Sequence, residues 1–288
     1  MTVQLLDGKL LASRLKENLK NDIGALKKKT GQSPLMVNIM VGEDPAAVSY
    51  ANSQKKIAED IGIQYKLVHL PLSSSLKEVI GHIAKLNQDK NVHGIMIYKP
   101  LPKGIDYYTV ANSVAITKDL EGTNDANMGK MFLDKTSIIP CTAAAAMEHI
   151  KSVSLNLRGL EAVIVGRSEI VGKPLSLLLL KESATVTICH SGTSDAGKLK
   201  EHIGRADILV AAMGRPEFIK GEWVKEGAIV IDVGINKVNG KTLGDVEFES
   251  AKEKASYITP VPGGVGPVTV MMLMKNCLEA FRIQTGIL

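Results

Sequence analysis

The stretch at 160–180, LEAVIVGRSEIVGKPLSLLLL, limits what this chain can fold into more than any other. Residues 160–165 are apolar, rich in β-branched side chains and nearly free of charge, as suits a strand buried on both faces of a parallel sheet. Gly166 ends it. The loop GRSEIVGKP offers Gly166 for a tight turn and Gly172 for a close backbone approach, and Pro174 suits the first turn of a helix, where a missing N–H costs nothing. A helix N-terminus opened in this way binds anions. The spacing departs from G-x-G-x-x-G, because Gly166 and Gly172 are separated by 167–171 with no glycine between them.

The next strand narrows the ligand. Residues 185–189, TVTIC, lead into His190-Ser191-Gly192-Thr193, with no acidic residue where an NAD site would bind the ribose hydroxyls. Arg167, Ser168 and Ser191 suit a 2′-phosphate instead, through a charged fork and hydroxyl donors, which favours NADP. On local sequence alone, Arg167 also reads as a solvated loop arginine.

With 288 residues, 45% hydrophobic and 23% charged, the chain can bury a large core and is expected to form two α/β domains. The net charge of +5 is spread among acids, and 4% aromatic content leaves no stacking platform for nucleic acid. Cys141, Cys189 and Cys277 are too scattered for a disulfide framework or a zinc site, and the histidines lack metal-ligand spacing, so no metal is expected. A cytoplasmic location fits. The N-terminus is charged and amphipathic rather than signal-like, and no apolar run reaches the roughly 20 residues of a membrane span.

Leu10, Leu11, Leu15, Leu19, Ile23 and Leu26 recur at helical spacing, predicting a helix over 8–29 and then a strand at 35–41. A helix follows to Ile61, stopped by Gly62; then come a strand at 64–70, a helix started by Ser73-Ser74-Ser75, and a strand at 92–98. The segment 106–136 reads as an irregular, pocket-lining loop. Thr142 is a plausible N-cap for an alanine-rich helix to about Val153. Beyond Thr193 the pattern predicts a helix to Gly204, strands at 206–212 and 229–234, and a final helix over 267–283. The glycine- and proline-rich run 259–269, TPVPGGVGPVT, predicts a rigid loop whose backbone approaches a ligand.

In this order and spacing, GRSEIVGKP, TVTICHS-x-T, GAIVIDVGIN with the later GDV, and TPVPGGVGPVT resemble the bacterial bifunctional methylenetetrahydrofolate dehydrogenase/cyclohydrolase family. VGEDPAAVSY, the PLP turn, KDLEG and PCT extend the resemblance over essentially the whole chain. It implies two α/β domains flanking a cleft, the second a Rossmann-like parallel sheet binding NADP, in a homodimer acting on folate. The expected domains are 1–149 plus 267–288 for folate and catalysis, and 150–266 for NADP. Carried over by position, Gly166, Arg167, Ser168, Gly172, Ser191, Ile235 and Thr269 would form the NADP site. Tyr50 would stack on the pterin, Glu121 would anchor it, and Pro262 and Gly263 would line the meeting place of the ligands. Locally, Tyr50 also reads as a half-buried helix tyrosine and Glu121 as an exposed loop carboxylate. His190, at a strand end, reads as structural or as a cofactor neighbour.

Departures from the family pattern fall on the catalytic positions. The family has Y-x-x-x-K-x-K, whose first lysine serves the cyclohydrolase step; here Tyr50 is followed by Gln54 at that position, and Lys56 matches the second lysine. Tyr98 replaces the glutamine that hydrogen-bonds the lysine, and Glu121 replaces an aspartate. Thr123, Asn124, Asp125 and Ala143 also depart. Oxidation of 5,10-methylenetetrahydrofolate is a hydride transfer that chiefly needs two rings positioned together. Hydrolysis of the methenyl cation needs protons moved, for which a tuned lysine is suited and a neutral glutamine is not. The expected activity is therefore an NADP-dependent methylenetetrahydrofolate dehydrogenase with weak or lost cyclohydrolase activity, its catalytic set being Tyr50, Gln54, Lys56, Tyr98 and Glu121. Three alternatives stay open: a full bifunctional enzyme, an NADP-dependent dehydrogenase on another substrate, and a non-enzymatic dimeric paralogue.

Overall fold

A computed structural model describes residues 3–287. Its contacts divide the chain into two units, one formed by residues up to Arg14 with Pro140–Met272, the other by Leu15–Ile139 with Leu273 onward. The division differs from 1–149 plus 267–288 against 150–266, for local reasons. The helix Cys141–Ser152 packs on the helix Gly172–Lys181, which draws 140–149 into the first unit. The strand Gln4–Leu5 pairs with Tyr257–Ile258 and joins that sheet too. The helix Val265–Thr285 contributes its start to one unit and the remainder to the other.

The first unit is built on a six-stranded sheet in the order Gln4–Leu5, Tyr257–Ile258, Ile229–Asp232, Ile208–Ala211, Glu161–Val165, Thr185–Cys189, with every pairing parallel. The predicted strands 206–212 and 229–234 are shorter than their apolar runs: the first begins only at Ile208 and ends at Ala211, and the second ends at Asp232, beyond which the chain turns into a loop. From Glu161–Val165 the chain passes to Thr185–Cys189 on one side and then to Ile208–Ala211 on the other. This reversal opens a crevice beyond the carboxyl ends of the strands, where ligands of such sheets bind. Val165 is in register with both Cys189 and Ala211, so the loops beginning at Gly166, His190 and Ala212 leave the sheet at one level. Val163, Leu209, Val230, Ile258 and Ile203 are fully buried in its core; each such aliphatic side chain contributes about 1.5–3 kcal/mol.

In the second unit the parallel strands Gln64–Leu70, Leu35–Val41 and Gly94–Ile97 lie in that order. Val37, Ile39, Ile95, Ile97, Val79 and Ile83 form its core. The predicted helices recur with their signals realised. Asp44 caps Pro45–Ile61 by accepting from the Ala47 N–H at 2.9 Å, and Gly62 stops it at φ 91°. Ser75 and Glu78 form a capping box at the start of Leu76–Gln88.

Three further expectations fail. Segment 106–136 contains the helices Tyr107–Ser113 and Asp125–Phe132, started by Asp106 and Asn124 side chains; both are too short for apolar periodicity to reveal them. Thr142 lies inside the helix that begins at Cys141, and no side chain caps that end. The helix expected up to Gly204 is two, Ser191–Asp195 and Leu199–Gly204. The hairpin of Asn236–Val238 with Lys241–Leu243 and the two-residue strands at 4–5 and 257–258 carry no periodicity to read. No described helix is long and apolar enough to cross a membrane.

Candidate active site

Strand alternation puts Val37, Ile39 and Val41 on one face of the central strand of the second unit and Asn38 on the other. Asn38 there meets the buried stripe of the helix Pro45–Ile61, made of Ala47, Ala51, Gln54, Ala58 and Ile61. Its amide nitrogen donates to Gln54 Oε1 and to Tyr98 Oη, each at 2.9 Å. The Tyr98 hydroxyl donates to the same Gln54 oxygen at 2.6 Å and lies 3.2 Å from the Tyr65 hydroxyl. Gln54 and Asn38 are fully buried, Tyr98 nearly so, and burial pushes the Tyr98 phenol far above its ordinary range. The result is a closed, neutral knot of side chains. One buried acceptor in it, Asn38 Oδ1, has no hydrogen-bond partner.

Tyr50 lies one helical turn before Gln54, and its ring meets the Tyr98 ring edge-on at 6.2 Å and 78°. Tyr50 is 39% exposed. Tyr98 is tucked inward. Lys56 is exposed and takes no part in the knot; Lys55 points outward too, 3.9 Å from Glu59.

The KDLEG segment divides its labour. Lys118 donates to the Leu86 and Asp89 carbonyls at 2.9 and 2.6 Å. Asp119 accepts from the backbone N–H groups of Glu121, Gly122 and Asn124 and from the Asn127 amide, all within 3.1 Å. These bonds hold the loop. Glu121 is left to interact with Tyr107, whose hydroxyl donates to it at 3.0 Å and lies 3.3 Å from the Thr123 hydroxyl. The Lys99 ammonium sits 4.3 Å over the Tyr107 ring. Burial pushes the Glu121 carboxyl up to about 7, against the opposing pull of Lys99 and Tyr107. It therefore exchanges a proton near neutrality.

In the first unit, a pocket of about 320 Å³ opens at the crevice of the sheet. The structure brings Gly166, Arg167, Ser168 and Ser191 together there, joined by His190 and by Arg215 and Phe218 from the loop after Ile208–Ala211. Neither guanidinium is ion-paired with a carboxylate among the described residues, and no carboxylate lines the pocket. Such a donor set fits a phosphate anion. Gly166 (φ 135°) and Gly172 serve the turn itself: a Cβ at 166 would lie 2.2 Å from the Ala212 carbonyl oxygen, and one at 172 would lie 2.0 Å from the Gly166 carbonyl oxygen. Gly172 therefore packs the helix against its own loop and does not line the pocket. His190 Nδ1 accepts from the Gly192 N–H at 3.1 Å, which makes the ring a helix cap.

Ile235 and Thr269 lie outside this pocket's lining. Ile235 is 66% exposed just beyond Ile229–Asp232, and Thr269 donates to the Val265 carbonyl inside the last helix. Pro262 is exposed, and Gly263 (φ 103°) accepts from the Gly8 N–H at 2.9 Å.

Two buried aspartates shape the loops around the crevice. Asp245, from the GDV segment, accepts from the N–H groups of Met213, Gly214 and Arg215 at 2.6, 2.9 and 2.8 Å and from the Asn236 amide at 2.9 Å. Asp232 accepts from the N–H groups of Gly234, Asp245 and Val246; burial pushes its carboxyl up to about 6, with those donors pulling the other way. Sequence reasoning missed Arg215 and the role of Asp245. It also missed Asn38, although a lone amide in LMVNIMV is a readable signal.

Comparison with known proteins gives one pattern. Residues 140–285 match the family model "Tetrahydrofolate dehydrogenase/cyclohydrolase, NAD(P)-binding domain", and residues 6–121 match the corresponding catalytic domain. The bifunctional protein FolD of Bacillus pumilus is 47% identical over 98% of this chain and 99% of its own length. The crystal structure of the bifunctional dehydrogenase/cyclohydrolase from Campylobacter jejuni superposes with a TM-score of 0.93 at 40% identity, covering 98% of this chain and 99% of that one. The Trypanosoma brucei enzyme, whose structure is complexed with NADP cofactor and inhibitor, superposes with a TM-score of 0.91 at 34% identity, covering 98% of each chain.

Proposed function

The chain belongs to the tetrahydrofolate dehydrogenase/cyclohydrolase family, and from that premise we propose that it oxidises 5,10-methylenetetrahydrofolate to the methenyl form with NADP, its cyclohydrolase activity being weak or lost. The observation that carries the second half is the closed neutral knot, in which the Gln54 carbonyl is engaged by Asn38 and Tyr98 and no group there takes or gives a proton at neutral pH.

Arg167, Ser168 and Ser191 would hold the 2′-phosphate of NADP, with Ile235 and Thr269 as further contacts, and bound NADP supplies the hydride acceptor. The exposed Tyr50 ring would stack on the pterin. Glu121 would accept from the pterin ring N–H and amino group, and Pro262 and Gly263 would line the ligands' meeting place. Orientation is the whole of this chemistry, and neutral walls do not repel the cationic product. A cytoplasmic homodimer is the assembly proposed, on the family resemblance.

A second reading, that both activities persist, is favoured by the bifunctional relatives and by Glu121, a carboxyl able to move a proton near neutrality. One paired measurement on purified protein separates the two. NADP reduction with methylenetetrahydrofolate should proceed while methenyl hydrolysis stays near the uncatalysed rate. Robust hydrolysis by the unmodified protein would establish the second reading instead.

Glu121 also gives the reaction a pH dependence. The carboxylate form accepts from the pterin and the acid form does not. Because this carboxyl is raised, the protonated form predominates in the free protein below about pH 7. Folate affinity should therefore fall on acidification, by about tenfold between pH 8 and pH 6. Glu121→Gln should bind weakly at both values, with the slope gone. An unchanged slope in that variant would remove Glu121 from the pterin site.

A further inference from the structure

Arg215 is the charged residue of the crevice that the family motifs leave unassigned. Its backbone N–H is fixed on the buried Asp245 carboxylate at 2.8 Å, and its guanidinium carbon lies 4.0 Å over the centroid of the Phe218 ring. Phe218 is itself set edge-on against Trp223, the only tryptophan of the chain, at 6.0 Å and 85°. The side chain is thus held at both ends. The guanidinium carbon sits over the Phe218 ring, and no carboxylate pairs with it among the described residues.

The lining of the pocket is segregated by loop. The loops after Val165 and Cys189 supply Arg167, Ser168 and Ser191; the loop after Ala211 supplies Ala212, Met213 and Phe218 around Arg215. The first set suits a phosphate. The second is an apolar wall faced by a planar cation, the surface that a flat heteroaromatic ring prefers, since a weakly hydrated guanidinium stacks on π systems.

We propose that Arg215, backed by Phe218, is the stacking wall for the adenine ring of the dinucleotide, and that the 2′-phosphate is left to Arg167, Ser168 and Ser191. This inference rests on the NADP reading above. It makes Arg215 a residue of affinity and Arg167 a residue of discrimination, because both dinucleotides carry adenine and only NADP carries the extra phosphate.

The test is calorimetric binding of 5′-AMP, 2′,5′-ADP, NAD and NADP to the full chain. Arg215→Ala is expected to weaken all four by a common factor of roughly five to thirty. Arg215→Lys, which keeps the charge and loses the plane, should resemble Arg215→Ala, and Phe218→Leu should weaken all four in the same sense. Arg167→Ala should instead erase the preference for 2′,5′-ADP over 5′-AMP. Parent-like affinity in Arg215→Lys, unchanged affinity in Arg215→Ala, or a loss confined to 2′,5′-ADP and NADP would overturn the stacking role. Equal affinity of the unmodified protein for NAD and NADP would defeat the 2′-phosphate assignment while leaving a common loss in Arg215→Ala as support for the stack.

Discussion

Combining Gln54→Lys with Tyr98→Gln is expected to raise methenyltetrahydrofolate hydrolysis at least about 100-fold over the unmodified protein, the usual scale of a positioned acid or base, while Gln54→Lys alone gains little. Position 54 is fully buried. A lysine introduced there is penalised in its charged form, so its pKa falls toward the range where it moves protons at neutral pH. It also needs acceptors. Asn38 Oδ1, buried and without a partner, offers one, and a glutamine at position 98 offers a carbonyl where the Tyr98 hydroxyl now donates into the knot. With Tyr98 kept, the ammonium faces a hydroxyl already shared with Tyr65 and Asn38. That single variant is expected to lose a few kcal/mol of stability by burying a poorly matched charge. Strong hydrolysis from the single variant, or none from a double variant that still reduces NADP, would show that the knot does not control the step.

Asp245→Ala is expected to lower the unfolding free energy by about 3–5 kcal/mol in urea melts and to abolish measurable NADP affinity. The carboxylate gathers three successive backbone N–H groups, of Met213, Gly214 and Arg215, together with the Asn236 amide, and it is fully buried. Bonds to a charged acceptor are worth about 1.5–3 kcal/mol each, and removing the acceptor strands its donors. Loops at an open crevice recover some of these bonds from water, so the loss falls below the sum. Binding suffers because the same loop carries Arg215 and Phe218 into the pocket. A loss below about 1 kcal/mol with NADP affinity intact would show that the turn holds its shape without the carboxylate.

The residues themselves settled a good deal. Apolar runs and their punctuation placed the strands at 35–41 and 64–70, the helix stopped by Gly62, and the strand, glycine turn and helix that follow Leu160. These features depend on interactions within a few residues, which local patterns encode. The shared motifs likewise placed Arg167, Ser168 and Ser191 in one site. Only the tertiary structure decided which polar side chains face one another. That Gln54, Tyr98 and Asn38 form a closed neutral knot, that Asp119 holds a loop while Glu121 is raised toward neutrality, and that Asp245 gathers a loop some 30 residues before it are matters of contact between distant segments. Burial and partner geometry set those properties. A sequence carries the residue types, but the dielectric around a carboxyl and the acceptor facing an amide come into being only when the chain has packed.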